Sequence, residues 1–365
     1  MKLDKLCLLM ATVFSVAAVV PIQPAMSQIY KGKTITVVIP AGAGGGLTRT
    51  GRLFVKHMSD HVAGSPKMVI KNIPGGMKGH NFVAEKAKPD GNTILWGPMF
   101  FAAVLTKAPG IRYDPAKFEI IGAGNSSFVT IIRKDFPPTI NSPGDLAKIK
   151  KTVVSGGIRP GGILDMFQLL SFEVLGIPFR HVTGFRGQPK MNAAIRSKEI
   201  QVLTTGHAGY NAFYKNTILK DGTALAAFYH SAFDAKTGKH IKLGKYPESI
   251  KPFPEAYKDI KGGSPSGTAW DAYKWFSTFE TWPYFLVAPQ GTPKEAIAAL
   301  RAAHAKVPGD PAFKAAWKKQ FKDPAVWLHG EDAAIIAREQ RNVSPATLAH
   351  LKKTIAPSGK QKFDK

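Results

Sequence analysis

Short apolar runs that stop at a proline or glycine and pass at once into a helical pattern constrain this chain more than any other feature. Thr34 to Ile39 is such a run. Pro40 ends it, Gly42-Ala43-Gly44-Gly45-Gly46 follows, and a helix-like pattern continues from Leu47 to about His61. Lys67 to Lys71 predicts a second strand, Val83 to Lys88 a helix, and Thr93 to Gly97 a third strand after the turn Pro89-Asp90-Gly91. Alternation of this kind implies a parallel sheet with helices on both faces. The rhythm restarts after Phe128 to Arg133. There the sequence predicts a helix from about Gly144, a strand at Thr152 to Ser155, a helix from about Gly162 to Val174, and strands near Phe179 and Gln201 with a helix between. Thr223 to Phe228 resembles a return crossing and Tyr284 to Ala288 a late strand, after which Thr292, Pro293 and Glu295 predict a capping box. The simplest architecture is two α/β lobes joined by two crossing strands, with one lobe discontinuous in sequence. Residues 229 to 280, with Gly262-Gly263-Ser264-Pro265-Ser266-Gly267, are the least readable part.

Of 365 residues, 44% are hydrophobic and 21% charged, which excludes a disordered or low-complexity chain. The 50 Lys and Arg against 25 Asp and Glu give +25, a field that attracts anions. Nucleic acid, an anionic membrane surface and small acidic ligands all fit that sign. The basic residues are scattered, however, and form no stripe with interleaved aromatics, which argues against nucleic acid. Lys2 and Lys5, the apolar run Leu6 to Val20 and the small-residue site Ala25-Met26-Ser27 read as a cleaved secretory signal, residues 1–27. Cleavage there leaves 338 residues with 48 basic against 24 acidic side chains, or +24. The only cysteine, Cys7, leaves with the signal, so a disulfide scaffold and a cysteine nucleophile are both excluded for the mature chain.

Most chemical motifs fail. Leu47 stands where a dinucleotide fingerprint needs its third glycine, and no Walker A spacing occurs. The serines near Ser264 and Ser266 miss the nucleophile-elbow register. His57 and His61 share a helix face but lack a third ligand nearby, so a solvated face is expected and no metal or cofactor is assigned. What remains is an anion site at the first glycine loop, where backbone donors and a helix N-terminus can meet a ligand. Ser155-Gly156-Gly157-Ile158-Arg159-Pro160-Gly161-Gly162 repeats the strand, glycine, helix layout in the second lobe, so two helix N-termini are expected to face each other across a cleft. His207 follows the strand Val202 to Thr204, at the carboxyl end where ligand crevices lie.

The chain resembles the periplasmic solute receptors of tripartite tricarboxylate transporters, the Bug-type receptors. The resemblance covers most of the mature sequence. It rests on Ile39-Pro40 with Gly44-Gly45-Gly46 and Arg52, on Asn72-Ile73-Pro74-Gly75-Gly76 with Gly79, on Pro89-Asp90-Gly91 with Thr93, on Gly184-Phe185-Arg186-Gly187, and on Ala288-Pro289-Gln290-Gly291-Thr292-Pro293. It implies a type II periplasmic binding protein fold, with lobe 1 formed by residues 28–128 and 229–365 and lobe 2 by 129–228. It further implies a monomeric, non-enzymatic receptor that holds a carboxylate between its lobes and delivers it to a membrane permease. The candidate site in lobe 1 is Ala41, Gly42, Ala43, Gly44, Gly45, Gly46, Thr48 and Arg49, with Trp96, Gly97 and Pro98 after the third strand. In lobe 2 it is Ser155, Gly156, Gly157, Arg159, Gly161 and Gly162, with Arg186, Gly206 and His207. Thr48 replaces the aspartate usual in the family and Ala41 the usual aromatic, which points to a more anionic or differently shaped ligand. The stretch 239–277 is longer than usual. The rival classes are a secreted α/β hydrolase acting on a small ester or amide, and a basic nucleic-acid-binding protein.

Overall fold

The computed structural model describes residues 29–159, 161–185, 187–233, 237, 239–241, 246–322 and 325–360. The signal segment and Arg186 lie outside them, as does part of 239–277. Among the described residues no helix is long and apolar enough to cross a membrane.

Alternation decides how the first half folds. In β1 (Thr34–Ile39), Ile35, Val37 and Ile39 enter one core while Val38 enters another. In β3 (Thr93–Gly97), Ile94 and Trp96 join the first core and Leu95 the second. Helix α1 (Gly46–His61) covers the first of these faces with Gly51, Phe54, Val55 and Met58, the spacing of one helical stripe. Gly51 is required by that contact, because a Cβ there would lie 2.7 Å from Ile39 Cδ1 and 2.9 Å from Trp96 Cδ1. On the other side of β1 runs β2 (Lys67–Asn72), parallel to it, and α2 (Lys78–Glu85) links β2 to β3. After α3 (Phe101–Leu105), β4 (Glu119–Gly124) continues this sheet and β5 (Phe128–Arg133) opens the next.

The second sheet repeats the device. β6 (Val153–Gly156), α4 (Ile163–Leu175), β7 (Phe179–Val182), α5 (Gln188–Arg196) and β8 (Val202–Gly206) give a parallel trio, followed by the short α6 (His207–Gly209). β9 (Ala224–His230) then closes the far edge, pairing antiparallel with β5. Its order is β7-β6-β8-β5-β9.

From there α7 (Phe253–Lys261) packs on β9, and α8 (Thr268–Glu280) packs on α4. Residues 253–280, which the sequence reading placed with the first lobe, therefore lie against the second. The chain re-enters the first sheet at β10 (Phe285–Ala288). It ends through α9 (Lys294–Lys306), α10 (Pro311–Phe321), β11 (Trp327–His329), α11 (Gly330–Glu339) and α12 (Pro345–Lys360), the last packing on α8. The first sheet has the order β11-β4-β10-β3-β1-β2.

Three expectations change. Both sheets are mixed rather than parallel, because β10 runs antiparallel to β3 and β4, and β5 antiparallel to β8 and β9. The capping box does not form: Thr292 Oγ1 donates to the Pro289 carbonyl at 2.8 Å, and α9 starts without a side-chain cap. The return crossing expected at Thr223 to Phe228 is part of β9, inside the second sheet. The chain passes between the sheets at 124–126 and 281–284, laid side by side by Gly124 N to Tyr284 O (3.0 Å) and Ser126 N to Thr281 O (2.9 Å).

Candidate functional site

The parallel strands of the two sheets present their carboxyl ends to a common seam. At its centre the first glycine loop meets the end of β8: a Cβ on Gly46 would lie 3.8 Å from Ala208 Cβ and 3.9 Å from Gly209 N. Thr48 and Asn72 shape the loop from beneath. Thr48 Oγ1 donates to the Gly42 carbonyl at 2.9 Å, and Asn72 Nδ2 donates to Thr48 Oγ1 and the Ala41 carbonyl, both at 2.8 Å. Gly42, Ala43 and Gly44 are exposed, and α1 begins after its N-cap Gly45 without a side-chain cap or an acid in its first turn. The positive end of that helix is thus unbalanced and open to an anion.

The second glycine loop behaves differently. Gly157 N donates to Val182 O (2.8 Å), Ile158 N and Arg159 N donate to the Asp165 carboxylate (3.2 Å each), and Gly162 N donates to Arg159 O (3.1 Å). These four donors are spent inside the loop. Asp165 also meets His181 Nε2 at 3.0 Å, and His181 Nδ1 lies 2.7 Å from Ser155 Oγ. Serine, histidine and aspartate in series have the order of a hydrolytic relay. Here, though, Ser155 is 0% exposed, and Gly157 lies so close above the relay that a Cβ there would come 1.9 Å from Asp165 Oδ1. The relay is a buried staple of the loop, with no approach for a scissile bond. Gly156 is equally structural, packed on Ile200, and Gly161 takes φ +66.

What the second loop sends into the seam is the Arg159 side chain. Its guanidinium sits 4.2 Å over the Phe100 ring, and its Cδ and an Nη are 3.4 Å from where a Gly76 Cβ would be. Phe100 and Gly76 both follow strands of the first sheet, so Arg159 reaches across to the opposite lobe. Among the described residues no carboxylate forms an ion pair with it; Asp165, the strongest opposing charge, has its oxygens engaged as above. Burial lowers the Arg159 pKa from the usual guanidinium value, and the neighbouring Asp165, Tyr113 and Glu280 oppose that shift.

Glu280, at the end of α8, is near enough to act on Arg159 yet does not serve as its ion-pair partner. Its Oε1 accepts from Ala102 N at 2.8 Å, its Oε2 has no partner, and burial pushes its pKa up to about 8. At neutral pH it is mostly protonated and contributes little negative charge beside Arg159. His80 is likewise neutral. Burial pushes its pKa down to about 3, and its Nε2 bonds the Pro98 carbonyl at 2.6 Å while the ring stacks on Tyr113.

Several candidates sit elsewhere. Trp96 is fully buried against Phe54 and Tyr284, on the α1 side of the sheet. Gly97 packs against Pro40, where a Cβ would meet Pro40 Cγ at 2.9 Å. His207 lies at the seam but is buried beside Tyr246, and desolvation lowers its pKa to about 4. Arg49 faces residues 211–216 rather than Arg159. His57 and His61 do not form a merely solvated face, since both approach Asp310 Oδ2, at 3.7 and 3.1 Å. Among the described residues no cluster of three or more His, Cys, Asp or Glu could hold a metal. Glu280, Phe100 and Gly76 were not singled out from the sequence as contacts. Of these, only Glu280 carries a readable signal, an acid four residues after Phe276 on the buried stripe of α8.

No protein-family model matches the chain. Among curated proteins it is 29% identical over 168 residues to a UPF0065 protein from the TAR-I ttuE–ttuC' intergenic region of Agrobacterium vitis, an alignment over 44% of this chain and 47% of that one. The chain thus aligns with about half the length of that relative. Solved structures match over far more. The periplasmic binding protein BugD aligns with TM-score 0.62 and 22% identity, covering 90% of this chain and 99% of that one. A Rhodopseudomonas palustris protein solved with adipate gives 0.63 and 20% over 90% and 98%, and MatC from the same organism, solved with malate, gives 0.60 and 18% over 89% and 99%. This chain therefore has the two-lobed fold of the TctC- and Bug-type periplasmic binding proteins.

Proposed function

We propose that the protein is a periplasmic solute receptor. It captures a small organic acid between its two lobes and delivers it, without covalent chemistry, to the membrane permease of a tripartite tricarboxylate-type transporter. One observation carries this reading: Arg159, projecting from one lobe onto the other, is a seam cation with no paired acid among the described residues. A ligand carboxylate at this point is attracted to Arg159 and lies in the same seam as the uncapped N-terminus of α1. A guanidinium also offers a planar fork of donors that matches a carboxylate in two-point contact. The malate and adipate in two proteins of this fold agree in chemical class. A buried, stapled Ser155 disfavours the hydrolase.

The test is a thermal-shift screen of the mature chain against organic acids and their amides. A true ligand at 100 times its dissociation constant stabilises by roughly 2.7 kcal/mol. Acids that raise the melting temperature while their amides do not support the reading; no acid doing so refutes it.

A further inference from the structure

A cleft of about 240 Å³ lies between the first turn of α1, the residues after α6 and the end of α10. Arg49, Lys215 and Lys322 line it together with Asn211, Asn216 and Gln320. Among the described residues no acid contributes to the lining, and none of the three cations has an ion-pair partner. A cleft of similar size, about 210 Å³, makes the contrast: there Arg301 and Arg338 are matched by Glu119 and Glu331. Among the described lining residues the second cleft is charge-balanced, whereas the first carries three positive charges.

The cleft also spans the seam. Arg49 lies in α1 and Lys322 caps the end of α10, two helices that pack on each other beside the first sheet, whereas Lys215 follows β8 of the second. Asn211 Nδ2 already ties the two sides by donating to the Phe321 carbonyl at 2.9 Å. Like charges gathered here repel across the seam unless an anion sits between them.

We propose that this cleft is a second binding site, distinct from the seam at Arg159, for a compact oxyanion carrying two or more charges, and that its occupancy holds the apposed lobes together. Size and exposure set the ligand class. The volume falls below the range of roughly 300–1,000 Å³ typical of sites for drug-sized ligands and cofactors, so a small ion fits. The lysines are exposed, so salt screens a singly charged anion, and a multivalent one is needed to compete. Inorganic phosphate and a free dicarboxylate share this chemistry.

Calorimetric titration of phosphate, and separately of malate, at constant ionic strength tests the site in the wild type, in a Lys215→Ala/Lys322→Ala double variant and in Arg159→Ala. The expected result is saturable binding of at least one anion that the double variant weakens about tenfold or more and Arg159→Ala leaves within about twofold. Both lysines are exposed, so circular dichroism of the double variant should match the wild type. Three results overturn the proposal: no saturable binding of either anion, unchanged affinity in the double variant for every anion that binds, or loss in Arg159→Ala of every anion that binds. The last would move the anion to the seam and leave the proposed receptor function standing.

Discussion

Replacing Glu280 by Gln separates the electrostatics of the seam from its packing. The amide keeps the shape, and its oxygen can still accept from Ala102 N. In the folded chain Glu280 titrates at about 8, against 4.5 for the free side chain. Between those values the native state holds a proton that the unfolded state has released, so wild-type stability falls as pH rises through this window and levels off above about 8. Each pH unit is worth about 1.4 kcal/mol, so from about pH 5 to about pH 7.5 the stability of Glu280→Gln relative to wild type should grow by about 3 kcal/mol. Burial lowers the pKa values of His80 and His304 to about 3 and of His207 to about 4. Those residues therefore remove stability as pH falls below 6.5, but they do so equally in both proteins and cancel in the difference. Guanidinium unfolding followed by tryptophan fluorescence at about pH 5, 6, 7 and 8 measures it. A difference that does not change with pH would mean that Glu280 is ionised in the fold, so that it would stand as a second acid acting on Arg159.

Gly45→Val should lower ligand affinity about tenfold or more while the melting temperature stays within a few degrees, because Gly45 has φ −71, open to any residue, and the added Cβ meets only the Gly42 carbonyl at 3.3 Å. Unfolding of that variant, or normal binding by it, would count against the loop as a ligand platform. Gly157→Ala should cost about 1–3 kcal/mol by forcing Asp165 and His181 apart, whereas Gly42→Ala, with no atom within 4 Å, should be neutral in unfolding titrations. Equal stability of the two variants would show that the staple under Arg159 yields freely.

Legibility followed range along the chain. The unit β1, glycine turn, α1 could be read because its signals lie within thirty residues and its period changes from two to 3.6 at Pro40. The mixed sheets could not, since β10 enters between β3 and β4 from far along the chain and nothing in Phe285–Ala288 records which edges it meets. Trp96 illustrates a readable signal passed over: it alternates with Leu95 and shares parity with Ile94, which places it in the core under α1. The second glycine loop was expected to offer its N–H groups to a ligand. Asp165 takes two of them because His181, sixteen residues on, pins it in place, and no local pattern announces that contact. Arg159 could be read as a loop cation, but its position over Phe100 depends on packing between the lobes.

Titration calorimetry with Arg159→Ala tests the central claim most directly, using the organic acid that most raises the melting temperature and its uncharged amide. Losing one charge-assisted contact of about 1.5–3 kcal/mol should weaken the acid about tenfold to a hundredfold, and the amide should bind the wild type no better than the acid binds the variant. Affinity unchanged in Arg159→Ala, or an amide that binds wild type as tightly as the acid, would contradict capture of a carboxylate by this cation.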